Sequence, residues 1–135
     1  MKEITLDATI ENIETVTEFV NGQLESSGCP MKAQMQIDIA IDELFGNIAH
    51  YAYPSDGGTA TVRVELEETP SAVRITFIDS GVPYDPLKKE DPDVSLSAQE
   101  RTSGGLGIFL VKKSMDDMQY EYRDGQNILE IRKKF

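Results

Sequence analysis

Cysteine is almost absent from this 135-residue chain. Cys29 stands alone, so no internal disulfide and no cysteine-cluster metal site can form, and the thiol reads as a small buried or semi-exposed group. Basic residues are scarce as well. The 13 Lys and Arg face 24 Asp and Glu, and a net charge of -11 argues against broad nucleic-acid or anionic-membrane binding, since both attract basic surfaces. A basic or amphipathic protein partner suits such a surface better. No apolar run approaches the roughly 18 residues of a membrane span. The opening MKEITLDATI also lacks the basic-then-apolar layout of a signal peptide. The expectation is a cytoplasmic protein with no membrane segment. Repeats and low-complexity tracts are missing too, and the length is near that of one domain with a single core, so residues 1–135 are expected to form one unit.

What is present follows an α+β order, satisfied by one layer of helices over one sheet. Residues 2–8 alternate as an edge strand, and Ile10, Ile13, Val16, Val20 and Leu24 repeat at helical spacing until Ser26-Ser27-Gly28. From Met31 to Tyr53 a second helix carries the stripe Ile37, Ile41, Leu44 and Ile48, and ends at the turn cluster Pro54 to Gly58. Residues 59–68 and 72–79 read as a hairpin around Glu68-Thr69-Pro70-Ser71. Neither period holds between Tyr84 and Ser103, where Pro86, Pro92 and mixed charges predict a long functional loop inside the domain. A helix over Leu106–Met118 and a second hairpin, 119–124 with 127–134, complete the order βααββ, loop, αββ.

Three segments carry chemistry. In the second helix Glu43, Asn47 and His50 stand at i, i+4 and i+7, on a face away from the apolar stripe. Asn offers a neutral oxygen suited to a magnesium ion that keeps waters and phosphate oxygens around it. Glu43, one turn earlier, is placed to serve as general base on a hydroxyl attacking a terminal phosphate. The blander reading of this row is a solvated helix face. Gly46 in the helix interior suggests close approach of a strand, lid or ligand. The second segment puts Asp79 at the end of the core-like strand Val73 to Ile78, with Gly81 two residues on: an acceptor for the exocyclic amino group of adenine and a backbone that can come close to the ring, or else an ordinary Asp-Ser-Gly turn. The third, Gly104-Gly105-Leu106-Gly107, opens the last helix and presents backbone N–H groups and a positive helix end to phosphates. Walker and dinucleotide spacings are both absent. Lys88, Lys89, Arg101, Lys112 and Lys113 are the candidate cations for the phosphates.

Together these segments resemble the Asn-containing box and the two glycine boxes of the GHKL ATPases, the group of gyrase, Hsp90, histidine kinases and MutL. Within it, IDIAIDELFGNIAHYAYP, ITFIDSGVPYDP and GGLGIFLVKKSMDDMQYEYRDGQNILEI are most similar to the bacterial anti-sigma-factor serine kinases. The resemblance implies a two-layer α/β sandwich with a mixed sheet, helices on one face and an ATP lid over about residues 86–103. It implies ATP and magnesium as ligands, Glu43 as the catalytic carboxylate, and Asn47 as the magnesium ligand. Asp79 and Gly81 would contact adenine, and the 104–107 segment, through Gly105 and Gly107, would form the phosphate-lid glycines. It further implies phosphorylation of a serine on a STAS-domain anti-anti-sigma partner, a hold on a sigma factor, and a homodimer. A free-standing histidine kinase domain would need a phosphoacceptor His on a dimerising helix, whereas the one histidine, His50, lies in the pocket helix. The alternative is a non-catalytic ATP-sensing module that regulates a partner; Glu43 leans toward the kinase, since binding alone needs no base.

Overall fold

The computed structural model describes residues 1–88 and 106–135. An edge strand β1 (Lys2–Asp7) leads through a short 3-10 turn into α1 (Ile13–Glu25), and α2 (Met31–Asn47) follows after a break at 26–30. The chain then forms the hairpin β2 (Thr59–Glu68) and β3 (Ser71–Asp79). After the loop come α3 (Leu106–Ser114), β4 (Asp117–Arg123) and β5 (Gln126–Lys134). The expected α+β order is met. Most of the loop at 86–103 lies outside the described residues, which show only its first turn, Pro86–Lys88, as a 3-10 helix.

Among the described residues five strands form one sheet, in the order β1-β2-β3-β5-β4. Every ladder is antiparallel, which corrects the expectation of a mixed sheet. The crossover through α3 brings β4 in the same direction as β3. The tight turn at Asp124 (φ 54) and Gly125 (φ 77) then folds β5 back into the slot between them, as two consecutive positive φ angles allow.

Alternation along the strands places Ala60, Val62 and Val64 of β2, Val73, Ile75 and Phe77 of β3, and Leu129 and Ile131 of β5 in one buried layer. Against it pack Val16, Val20 and Leu24 of α1, Ile37, Ile41 and Leu44 of α2, and Ile108 and Val111 of α3. The periods of about 2 and 3.6 thus meet in a single core. The next step of the inward row is different. Beyond the pairs Val62↔Phe77 and Phe77↔Leu129, the register brings Ala60, Asp79 and Asn127 side by side. Asp79 and Asn127 are the two buried polar side chains among the described residues. The core therefore ends in a polar row at one end of the sheet.

The helical path of α2 also changes there. Ile48–Ala52 form a π-turn directly after Asn47, a widening of the helix often found at functional sites. α3 is shorter than the expected Leu106–Met118: it stops at Ser114, because Met118 already alternates as part of β4.

Candidate nucleotide site

Where α2 meets the polar end of the sheet, a cavity opens. Asn47, Ile48 and Tyr51 line it from the helix, Phe77 and Asp79 from β3, Val82 and Tyr84 from the following turn, and Asn127 and Leu129 from β5. An apolar body with a few convergent polar atoms is the usual composition of a small-molecule site.

Asp79 is only 5% exposed and occupies a defined position. Its Oδ1 accepts from the Gly81 amide (2.9 Å) and from Asn127 Nδ2 (2.9 Å). Oδ2 makes no hydrogen bond among the described residues, so one acceptor of a cavity-lining carboxylate is left over for a ligand. Asn47 lines the same cavity, and its carboxamide likewise makes no hydrogen bond among the described residues. A free neutral oxygen fits magnesium, which binds few protein ligands and retains water and phosphate around it. No cluster of three or more His, Cys, Asp or Glu occurs among the described residues, which a magnesium carried mainly by phosphate does not need.

Gly81 has a structural reason beyond the one its turn suggested. A Cβ there would strike the carbonyl oxygen, carbonyl carbon and Cβ of Ala52, at the end of the π-turn. The Val82 amide donates to that same Ala52 carbonyl at 2.8 Å, clipping the turn after β3 to the end of the helix. Tyr53 reinforces the junction: its hydroxyl donates to the Thr59 carbonyl (2.7 Å) and accepts from the Ser80 amide (2.8 Å).

Glu43 does not line the cavity. Its half-buried carboxylate reaches α3 instead, where a Cβ on Gly107 would overlap the carboxylate carbon and both oxygens. Gly107 thereby joins Glu43 at the start of α3. Gly104 and Gly105 lie outside the described residues, as does the side chain of Leu106. Among the candidate cations, Lys89 and Arg101 are also outside them, and Lys113 sits 5.4 Å from the Phe109 ring centroid. His50 points to solvent and is not in the lining, whereas Tyr51 is. The i+7 spacing assumes 3.6 residues per turn, and the wider π-turn rotates position 50 out and position 51 over the cavity mouth. Among the described residues a Cβ on Gly46 would meet only Ile13 Cδ1 of α1, at 3.9 Å.

Sequence reasoning missed Asn127 and Tyr120. Asn127 stands at an inward position of a strand whose next inward residues are Leu129 and Ile131, and a polar residue in that register was the available signal. Tyr120, on the edge strand β4, donates its hydroxyl to Asn127 Oδ1. Burial pushes the Tyr120 phenol above its ordinary range, opposed by a hydrogen bond with the Tyr84 backbone and reinforced by the Asp85 and Asp79 carboxylates. It remains a protonated donor at neutral pH.

Known proteins resemble this chain in sequence or fold. A Bacillus cereus protein named serine-protein kinase RsbW is 28% identical over 131 residues, 94% of this chain and 81% of that protein. The serine/threonine-protein kinase BtrW of Bordetella bronchiseptica is 28% identical over 100 residues, 74% of this chain and 70% of that one. The crystal structure of the RsbU and RsbW domains of a Mycobacterium tuberculosis protein matches the fold with a TM-score of 0.65 over 99% of this chain, at 17% identity. This chain spans 32% of that longer one. Residues 6–133 match the histidine kinase-like ATPase domain, and the chain belongs to that family.

Proposed function

We propose that this protein is an ATP-dependent protein serine kinase and anti-sigma-type regulator, which phosphorylates a STAS-domain anti-anti-sigma partner and thereby controls a sigma factor, as a homodimer in the cytoplasm. The family and the kinase names of the relatives support the activity. The single observation that carries it to residues is the cavity whose lining holds both a buried carboxylate with one oxygen and a carboxamide that are unengaged among the described residues.

Asp79 Oδ2 accepts the 6-amino group of adenine, while Ile48, Phe77 and Leu129 exclude water from the ring faces. Asn47 holds magnesium, which supplies charge neutralisation on the phosphates of the substrate ATP. The backbone N–H groups of 104–107 and the N-terminal end of α3 receive the phosphates. In the transfer step the serine oxygen bonds to the γ-phosphorus and the bond to the β-bridging oxygen breaks. ADP leaves, and Glu43 takes the serine proton.

The test is radiolabel transfer from ATP to candidate STAS-domain proteins of the same organism. Glu43→Gln should keep ATP affinity within a few-fold and lower transfer by roughly 10²–10⁴, the contribution of a positioned general base. Equal transfer by both proteins clears Glu43 of the role. Tight ATP binding without transfer to any candidate moves the reading to an ATP-sensing regulatory module.

A further inference from the structure

Asn127 lines the cavity, yet its hydrogen-bonding capacity is already used. Nδ2 donates to Asp79 Oδ1 (2.9 Å) and to the Val82 carbonyl (3.0 Å). Oδ1 accepts from the Tyr84 amide (3.1 Å) and from the Tyr120 hydroxyl. A carboxamide has two N–H donors and two acceptor lone pairs, and all four are engaged. At 6% exposure Asn127 has nothing left to offer a ligand directly. What it controls is Asp79. The donor at Oδ1 fixes the plane of that carboxylate, and the other three bonds fix Asn127 itself to the turn after β3 and to β4.

We propose that Asn127 is a positioning residue that sets base selectivity: it holds Asp79 so that Oδ2 alone faces the cavity as an acceptor, which admits a 6-amino purine and rejects a 6-oxo purine. This rests on the nucleotide reading above. A site committed to accept one N–H leaves its own acceptor unpaired, or opposed by a second acceptor, when the ligand carries oxygen there. The selectivity of the site is therefore distributed over β3, β5 and β4, and Tyr120, itself in the cavity lining, contributes by holding Asn127 through its hydroxyl.

The deciding variant is Asn127→Asp, which preserves shape and the acceptor side while replacing the donating NH2 by an oxygen facing Asp79 Oδ1 and the Val82 carbonyl. Two carboxylates in that arrangement cannot both stay ionised in place. A shared proton restores the donor. Beside the pair stands Tyr120, whose phenol in turn feels Asp79, Asp85 and Tyr122; all are present in the wild type, which serves as the control at each pH.

ATP and inosine triphosphate are titrated by calorimetry into wild type and Asn127→Asp, with melting temperatures recorded alongside. Wild type should prefer ATP by roughly 10²-fold or more. At about pH 8 the variant should bind ATP about tenfold more weakly and lose most of that preference, and both should return toward wild type near pH 5.5 as the pair takes up its proton. Wild-type-like affinity and preference in the variant at the higher pH overturn the inference. So does an equal loss for both nucleotides at every pH in step with the melting temperature, which is the behaviour of a scaffold residue. Should Asn127→Asp not fold at the higher pH, Tyr120→Phe is titrated at neutral pH: a lowered preference for ATP supports the inference, and an unchanged one overturns it. If wild type binds neither nucleotide, the nucleotide reading fails first and this inference with it.

Discussion

The acceptor–donor pattern at Asp79 makes a substitution there more than a loss of charge. Gly81 N and Asn127 Nδ2 both donate to Oδ1, so an amide at position 79 must put its oxygen on that side and turn its NH2 toward the cavity. Asp79→Asn therefore converts the ligand-facing acceptor into a donor. The expected outcome is ATP binding weakened by about 10- to 100-fold, the cost of an opposed buried polar group, with inosine triphosphate weakened less or improved. Parallel titrations of the two nucleotides read this directly. A uniform loss for both would show that position 79 acts on the fold of the cavity and not on the base. At Gly81 the constraint is of another kind. The atoms a Cβ would strike belong to the Ala52 backbone, which cannot swing aside as a side-chain tip can. Gly81→Ala should cost about 1–3 kcal/mol in chemical denaturation, the usual range for overpacking.

Between elements, one contact between α2 and α3 is the Glu43 carboxylate against Gly107. Here the obstructed group is the end of a flexible side chain, so Gly107→Ala should leave the fold intact and displace Glu43 from its seat. The expected signature is a fall in phosphoryl transfer with ATP affinity changed only a few-fold, because a misplaced base acts on the transition state and not on nucleotide binding. In the Glu43→Gln background the same alanine should add little further loss. A weakened ATP affinity with unchanged turnover would instead assign Gly107 to the phosphates. The sequence made the larger elements legible because their periods are regular: the stripe Val16, Val20, Leu24 and the alternation of Val73, Ile75 and Phe77 each specify one buried face. Asn47 and Asp79 were legible because each sits at the end of such a pattern, facing one cavity. The π-turn was not, since Ile48–Ala52 carry no residue that forbids an α-helix, and the widened turn is tied to the Val82 amide from across the fold. The antiparallel placement of β5 was equally hidden, because a hairpin signal at Asp124-Gly125 says that β4 and β5 pair but not which of them enters beside β3.

At the scale of the whole molecule the sheet has two ends with separate duties. One end carries Asp79 and Asn127 on the helix-facing side. Toward the other, on the face away from the helices, Glu67 of β2, Arg74 of β3 and Arg132 and Glu130 of β5 form an ion network over the three central strands. Arg132 donates to both oxygens of Glu67, at 2.8 and 3.1 Å, and Arg74 reaches Glu67 and Glu130 at 3.3 and 3.2 Å. In a chain of net charge -11 such arginines also offset repulsion among the carboxylates. The Arg132 hydrogen bonds hold the Glu67 carboxyl below its ordinary range against the opposing effect of desolvation, with Arg74 adding to the shift. A lowered folded value means that the stabilisation is fully present above the unfolded carboxylate value, near pH 4.3, and is lost as pH falls through the lower folded one. Glu67→Gln should accordingly lower the melting temperature at neutral pH, and the gap to wild type should close as the pH drops below about 4. Salt should narrow the gap at neutral pH, since the pairs are partly exposed. ATP affinity should not change, because the network shares no hydrogen bond with the cavity residues among the described ones. Thermal melts across pH, set beside one ATP titration at neutral pH, test both halves. A gap that persists in acid would assign the loss to packing of the Glu67 stem, and a shifted ATP affinity would mean that the two ends of the sheet are mechanically joined.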